Sequence, residues 1–199
     1  MTVGLRERKK QATRDTLVLA AVDLFEQQGI EHTTVDDIAA AADVSPRTFH
    51  RYFATKEDVL FSDTVERAER FAAALAARPV DEPLLDSLRI VILAAADGFV
   101  GNAEFERRRL RLIRGVTSLE MRRLMQSEQW SLVVVRHAAS RLGLKTTDAL
   151  PNLLAACTFA TLRSVIDRWI VSPRLNYQAE VERSFDLLAD LRSATTPRR

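Results

Sequence analysis

The chain has 199 residues, 47% hydrophobic and 28% charged, which is an ordinary soluble composition with enough length for a core that needs no staples. Its single cysteine, Cys157, excludes an internal disulfide and fits a reducing cytoplasm. The net charge of +2 is too small to indicate a nucleic-acid partner, and residues 1–60 carry 8 Lys and Arg against 10 Asp and Glu, so any such case must rest on where the charges sit.

Only six Gly and six Pro interrupt a chain rich in Ala, Leu and Arg, which predicts helix almost throughout, an all-α fold. The leader MTVGLRERKKQATR is basic with no apolar segment behind it, unlike a signal peptide. No uncharged apolar run reaches about 18 residues, so no membrane span is expected. The first helix is predicted over residues 9–28, where Leu17, Ala21, Leu24 and Phe25 recur at helical spacing and Gly29 follows as a C-cap. A second helix begins at Thr34, with Asp37 at capping-box spacing and Val35, Ile38, Ala39 and Ala42 facing inward. Asp43-Val44 forms the turn, since Asp tolerates a left-handed backbone better than most residues. Ser45 then caps a third helix with Pro46 at its first position, and Phe49 and Phe53 anchor it. A fourth helix is expected from Thr55, capped with Asp58, to about residue 77. After the two-proline break ARPVDEP, further helices are predicted over residues 84–97, 103–114, 118–142, 150–170 and 177–193, and SATTPRR reads as a frayed tail.

Two short helices joined by a tight turn make a helix-turn-helix unit whose second helix suits a major groove about 12 Å wide. Its polar residues then acquire candidate roles, each beside a plainer one. Arg47 can donate two hydrogen bonds to a guanine edge, or be a solvated arginine. Thr48 can touch a thymine methyl or a phosphate, or pack in the helix. His50 shares the face of Pro46 and Arg47, for a base or phosphate contact or as a surface histidine. Tyr52 can donate its hydroxyl to a phosphate, or be core. Lys56, in a helix first turn, opposes the helix dipole, which makes sense if an anion docks there. Thr34 offers phosphate geometry or a simple cap. The basic RERKK arm and Arg14 can reach DNA or remain a solvated leader.

The stretch TTVDDIAAAADVSPRTFHRYFATKEDVL resembles the signature of the TetR family of bacterial transcriptional regulators. The likeness lies in Thr33-Thr34, Ile38-Ala39, Val44-Ser45, Thr48, Tyr52-Phe53, and Lys56 followed by an acidic residue and Leu60. The preceding AAVDLFEQQG resembles the family's first helix. Asp43 departs from the family, which usually has Gly there. The resemblance implies a helix-turn-helix DNA-binding domain over residues 10–70, with its reading unit at 34–53, and a helical ligand-binding and dimerisation domain over 71–195. It further implies a cytoplasmic homodimer on a palindromic operator of double-stranded DNA, a repressor released by a small-molecule inducer. Ser45, Arg47, Thr48 and His50 would face the groove, and Thr34, Tyr52 and Lys56 would hold the backbone.

Helices 150–170 and 177–193 carry apolar residues for a bundle core or a two-fold interface. The basic segment at 107–123 reads as a solvated face, with salt bridges across the bundle or an acidic ligand as alternatives. Its RRRLRLIRG is similar to a stretch in acyl-coenzyme-sensing regulators, which implies acyl-coenzyme A or another apolar or acidic effector. A pocket among the helices would take Phe99, Phe105, Trp130 and Phe159, although core packing explains them equally well. Two other classes remain. An enzyme would need a motif such as GxGxxG, HExxH, a P-loop or a nucleophile elbow, none of which is present, and His32, His50 and His137 lie in unrelated segments with no metal-ligand spacing. A helical protein-interaction module would not need Arg47, Tyr52 and Lys56.

Overall fold

The computed structural model describes residues 4–100 and 102–190, with residues 96–100 described by backbone alone. The described residues form nine α-helices and one short 3-10 helix: α1 (Leu5–Gln28), α2 (Val35–Ala41), α3 (Pro46–Tyr52), the 3-10 helix Glu57–Phe61, α4 (Thr64–Ala76), α5 (Leu84–Val100), α6 (Ala103–Gly115), α7 (Thr117–Leu142), α8 (Ala149–Val171) and α9 (Tyr177–Ala189). The tail SATTPRR and the end expected for the last helix lie outside the described residues.

The chain divides into two compact units. One contains the residues up to Thr64 together with Arg108–Glu120, and the other contains Val65–Arg107 and the residues from Met121 onward. Compactness therefore groups the chain differently from a single cut at residue 70.

In the first unit, α1 starts earlier than its apolar spacing predicts, so the basic arm forms its opening turns, with Glu7 paired to Lys10 at 3.3 Å. Leu17, Val18, Ala21, Val22 and Phe25 are its buried face. Gly29 ends it at φ +86° and donates its N–H to the Phe25 carbonyl. The predicted capping box of α2 is present: the Thr34 hydroxyl accepts from Asp37 N–H, and the Asp37 carboxylate accepts from Thr34 N–H. Helix α2 closes with a Schellman motif. Asp43 N–H reaches Ala40 O at 3.1 Å and Val44 N–H reaches Ala39 O at 2.9 Å, with Asp43 at φ +52°. Ser45 caps α3, and Phe49 and Phe53 are buried beneath it as expected.

The expected fourth helix is interrupted. The Thr55–Asp58 cap forms, but a 3-10 helix follows, and α4 begins only at Thr64. A distant arginine meets the chain at this break. Arg109, itself buried, donates to the Leu60 carbonyl at 3.0 Å and to Asp63 at 3.1 Å. Arg108 likewise joins Asp23 and Glu26 of α1.

In the second unit, α9 packs against α5 and α8. Arg107 is buried, with its guanidinium 4.3 Å from the Trp169 ring centroid and donating to the carbonyls of Trp169 and Pro173. Trp169 meets Tyr177 edge-on at 5.5 Å, and burial raises the Tyr177 phenol to about 12. Arg67 pairs with the buried Glu106 at 2.6 Å. The expectation of a solvated basic face therefore fails at Arg107, Arg108 and Arg109. Their forked donors find carbonyls and carboxylates, and this pairing offsets the cost of taking them out of water.

Helix α8 also departs from expectation. By length and composition alone it is apolar enough to cross a membrane, although the sequence suggested no such segment. Only a minority of that stretch is buried within the chain, and Leu150, Leu153 and Val171 are exposed.

Candidate nucleic-acid interface

Helix α3 has seven residues, and its orientation follows from what it buries. Phe49 is fully buried, with Phe53 tilted against it at 5.6 Å and Arg14 of α1 over the Phe53 ring at 5.9 Å. With Phe49 inward, the remaining α3 positions turn outward. Ser45, Arg47, His50 and Arg51 are exposed, and Thr48 and Tyr52 are half-buried. Among the described residues, Arg47 has no hydrogen-bond or ion-pair partner, so its five donors remain available. His50 touches Phe49 edge-on through its ring at 5.6 Å.

The hydroxyls are less free than the sequence suggests. Ser45 Oγ accepts from Thr48 N–H at 3.1 Å and shares a hydrogen bond with Thr48 Oγ1 at 3.0 Å. The Ser45 and Thr48 hydroxyls therefore engage each other at the start of the helix. Thr34 Oγ1 donates to Asp37 at 2.7 Å while accepting from Asp37 N–H, so the structure realises its cap and leaves no hydroxyl hydrogen for a phosphate. The Thr34 hydroxyl, and then its N–H, hold the Asp37 carboxyl below the usual range.

Two residues behave in ways the sequence did not reveal. Arg51 was not singled out, yet it lies four residues after Arg47, on the same helical face. Its guanidinium stands 5.2 Å over the Tyr52 ring and 3.5 Å from the Tyr52 hydroxyl. The i, i+4 spacing from Arg47 was the available signal. Lys56 was expected to extend toward an anion. Instead its ammonium donates inward to the carbonyls of Ile30 at 2.6 Å, Thr33 at 2.8 Å and Glu31 at 3.4 Å. The same loop is held by the buried Thr33, whose hydroxyl donates to Gly29 O at 2.8 Å.

In the second unit, Phe105, Trp130 and Phe159 are half-buried, and Trp130 lies 5.6 Å from Phe71. The Phe99 side chain lies outside the described residues. Two buried polar atoms, His137 Nε2 and Thr158 Oγ1, have no partner among the described residues. Burial, and secondarily the charge of Arg141, holds the His137 imidazole below its ordinary range.

Residues 17–62 match the family described as bacterial regulatory proteins, tetR family, and residues 82–193 match the one described as the MftR C-terminal domain. The HTH-type transcriptional regulator TcmR of Streptomyces glaucescens is 35% identical over 183 residues, 88% of this chain and 81% of that protein. Among solved structures, a complex of SmeT with triclosan overlays with a TM-score of 0.68 at 21% identity, covering 89% of this chain and 91% of that one; SmeT is the repressor of a Stenotrophomonas maltophilia multidrug efflux pump. Thermus thermophilus FadR in complex with lauroyl-CoA overlays with a TM-score of 0.58 at 20% identity, covering 94% and 96% of the two chains.

Proposed function

Because the chain belongs to the TetR family of bacterial regulatory proteins, we propose that it represses transcription from a palindromic operator as a homodimer and leaves the DNA when a small molecule binds its second unit. The chain is a transcriptional regulator and not an enzyme. The operator reading is carried by one observation: α3 exposes an unpartnered Arg47 beside His50 while Phe49 fixes the helix from beneath. Arg47 reads a guanine edge, His50 and the Thr48 methyl contact neighbouring bases, and Ser45 holds the start of the helix in the groove. The Tyr52 hydroxyl, with Arg51 beside it, serves a phosphate, and the opening turns of α1 bring Arg6, Arg8, Lys9 and Lys10 to the backbone. Residues 10–70 are the DNA-binding domain and 71–195 the effector and dimer domain. The chain acts in the cytoplasm, where bacterial DNA lies.

The uncovered apolar surface of α8, with the exposed Leu187 of α9, supports the homodimer. A second copy covers such a face more readily than lipid, because Arg163, Asp167 and Arg168 interrupt the helix. For the effector, His137 Nε2 and Thr158 Oγ1 favour an apolar molecule with a hydrogen-bonding group, since a buried unpaired polar atom costs about 1–3 kcal/mol until it is satisfied. Arg107, Arg108 and Arg109 are already engaged within their own units, so an acyl-coenzyme A effector would be held by its acyl chain rather than by these arginines.

Genomic fragments retained by the chain should contain an inverted repeat whose half-sites lie about 34–36 Å apart or a multiple of that spacing, protected by a dimer. Triclosan and lauroyl-CoA serve as the first release probes, with sedimentation reporting the species bound. Retained fragments without inverted symmetry, or a monomer on the DNA, would overturn the operator reading.

A further inference from the structure

Helices α2 and α3 hang between two loops, residues 29–34 before α2 and residues 53–56 after α3. Among the described residues, Lys56 joins these loops, its ammonium donating to Ile30 O, Glu31 O and Thr33 O. The sequence separation is large, since Lys56 follows Ile30 by 26 residues, and the whole reading unit lies inside the ring so closed. A tetrahedral ammonium has three N–H bonds, and three carbonyls take them. A phosphate would therefore have to displace a carbonyl to be gripped.

We infer that Lys56 is a positioning residue rather than a phosphate contact, and that it acts through Arg47 and His50 by closing the base of the helix-turn-helix unit. This inference rests on the operator reading above. Its physical reason is geometric. The entry to α2 is set by loop 29–34, the exit from α3 is Phe53, and a hydrogen-bonded tie between the two flanks fixes the direction in which α3 leaves the core. Thr33 and Gln28 steady the first flank from the α1 side, through Thr33 Oγ1 to Gly29 O and Gln28 Nε2 to Thr33 Oγ1. The Thr55–Asp58 cap steadies the second. Lys56 is the tie between them.

The two roles predict opposite signatures on DNA. A lysine that grips a phosphate strengthens binding to every sequence, and its loss makes the slope of log K against log salt shallower by about 0.9. A clasp contributes nothing to counterion release, and its loss blurs base readout. The guanidinium of arginine can replace an ammonium on a phosphate but not in a compact cradle of three carbonyls.

The experiment uses the full chain and one duplex, the 30-base-pair sequence the wild-type protein enriches most from a random library, with a scrambled duplex for comparison. Lys56→Met and Lys56→Arg are each titrated over a range of salt, at a temperature where circular dichroism shows both fully folded. On this inference, both variants lose discrimination between the duplexes by about tenfold or more, the size of one lost bidentate base contact. Binding to the scrambled duplex and the salt slope stay as in the wild type. A double-mutant cycle of Lys56→Met with Arg47→Ala is non-additive, because the clasp works through the contact already removed. Three results overturn the inference. Uniform weakening with a shallower slope, restored by Lys56→Arg, makes Lys56 a phosphate contact. A lower melting temperature with discrimination intact and an additive cycle makes it a stabilising residue only. A wild-type protein that enriches no duplex removes the operator reading itself, and this inference with it.

Discussion

Helix α3 and helix α6 both carry arginines and use them in opposite ways. On α3, Arg47 stands exposed among few other cations, and no group among the described residues occupies it. On α6, Arg107, Arg108 and Arg109 form a run that a composition scan would assign to solvent or to an anion, yet Arg107 and Arg109 are buried and all three donate to protein oxygens. A guanidinium leaves water only where its forked donors meet enough acceptors. The density of positive charge along the chain therefore says little about where a polyanion docks. The informative quantity is how many donors remain unused after folding.

The largest effect expected from this contrast is on stability. Arg109→Ala should lower the unfolding free energy by about 3 kcal/mol, because it removes a buried guanidinium and strips a partner from the buried Leu60 carbonyl and from the half-buried Asp63. Urea denaturation measures it. A loss no greater than that of an exposed arginine would mean that water replaces the guanidinium and that burial is not what separates the two helices.

Arg47→Ala should show the reverse pattern. Stability stays within about 0.5 kcal/mol, while discrimination at one base pair of the enriched duplex falls by about 1–3 kcal/mol. Competition binding against single-base variants reads this directly. Equal weakening on all variants would place Arg47 on the backbone instead of a base edge.

Much of α3 and its setting was legible because the signals are local. Thr34 with Asp37, Ser45 with Pro46, and Gly29 after α1 each act within three or four residues, and each is realised. The anchors Phe49 and Phe53 follow from the same short period. What could not be read was set by residues far apart in the chain. Arg109 meets the break in a helix that its own sequence would continue, and Lys56 turns inward, where carbonyls more than twenty residues earlier lie within reach. No spacing rule sees either partner. The hydroxyl of Thr34 shows a third case, in which a recognised cap leaves no hydrogen for the second role suggested for it.

Asp43 tests whether the free presentation of Arg47 depends on strain in the turn before it. Helices α2 and α7 end in the same way: Leu144 N–H reaches Ala139 O at 2.9 Å around Gly143 at φ +64°, as Val44 N–H reaches Ala39 O around Asp43 at φ +52°. Glycine meets this backbone without a Cβ penalty, and aspartate does not. Asp43→Gly should therefore raise stability by about 0.5 kcal/mol after the added freedom of the unfolded chain is offset, visible as a higher melting temperature. Discrimination by Arg47 should not change. A drop in discrimination would show that the aspartate, and not only the turn, sets the direction of α3.

The smallest effect concerns His137, where burial keeps a potential cation neutral, a milder version of what α6 achieves by pairing. Burial first and the Arg141 charge second hold its folded pKa below the unfolded value of 6.5. Between those two values the unfolded chain binds more protons than the folded one, so stability rises with pH. The contribution is complete above pH 6.5 and is lost as pH falls through the folded value. Glu82 responds lower down: hydrogen bonds from Arg78 and Ser87 hold it at about 2, against 4.5 unfolded, so its contribution is lost only as pH falls from about 4.5 toward about 2. The two windows separate, and a comparison of unfolding free energies at pH 7.5 and 5.5 isolates the histidine. His137→Leu should flatten that difference while leaving the acid limb below pH 4.5 in place. An unchanged difference would mean that the imidazole binds protons equally in the folded and unfolded chain, and that burial does not govern its charge.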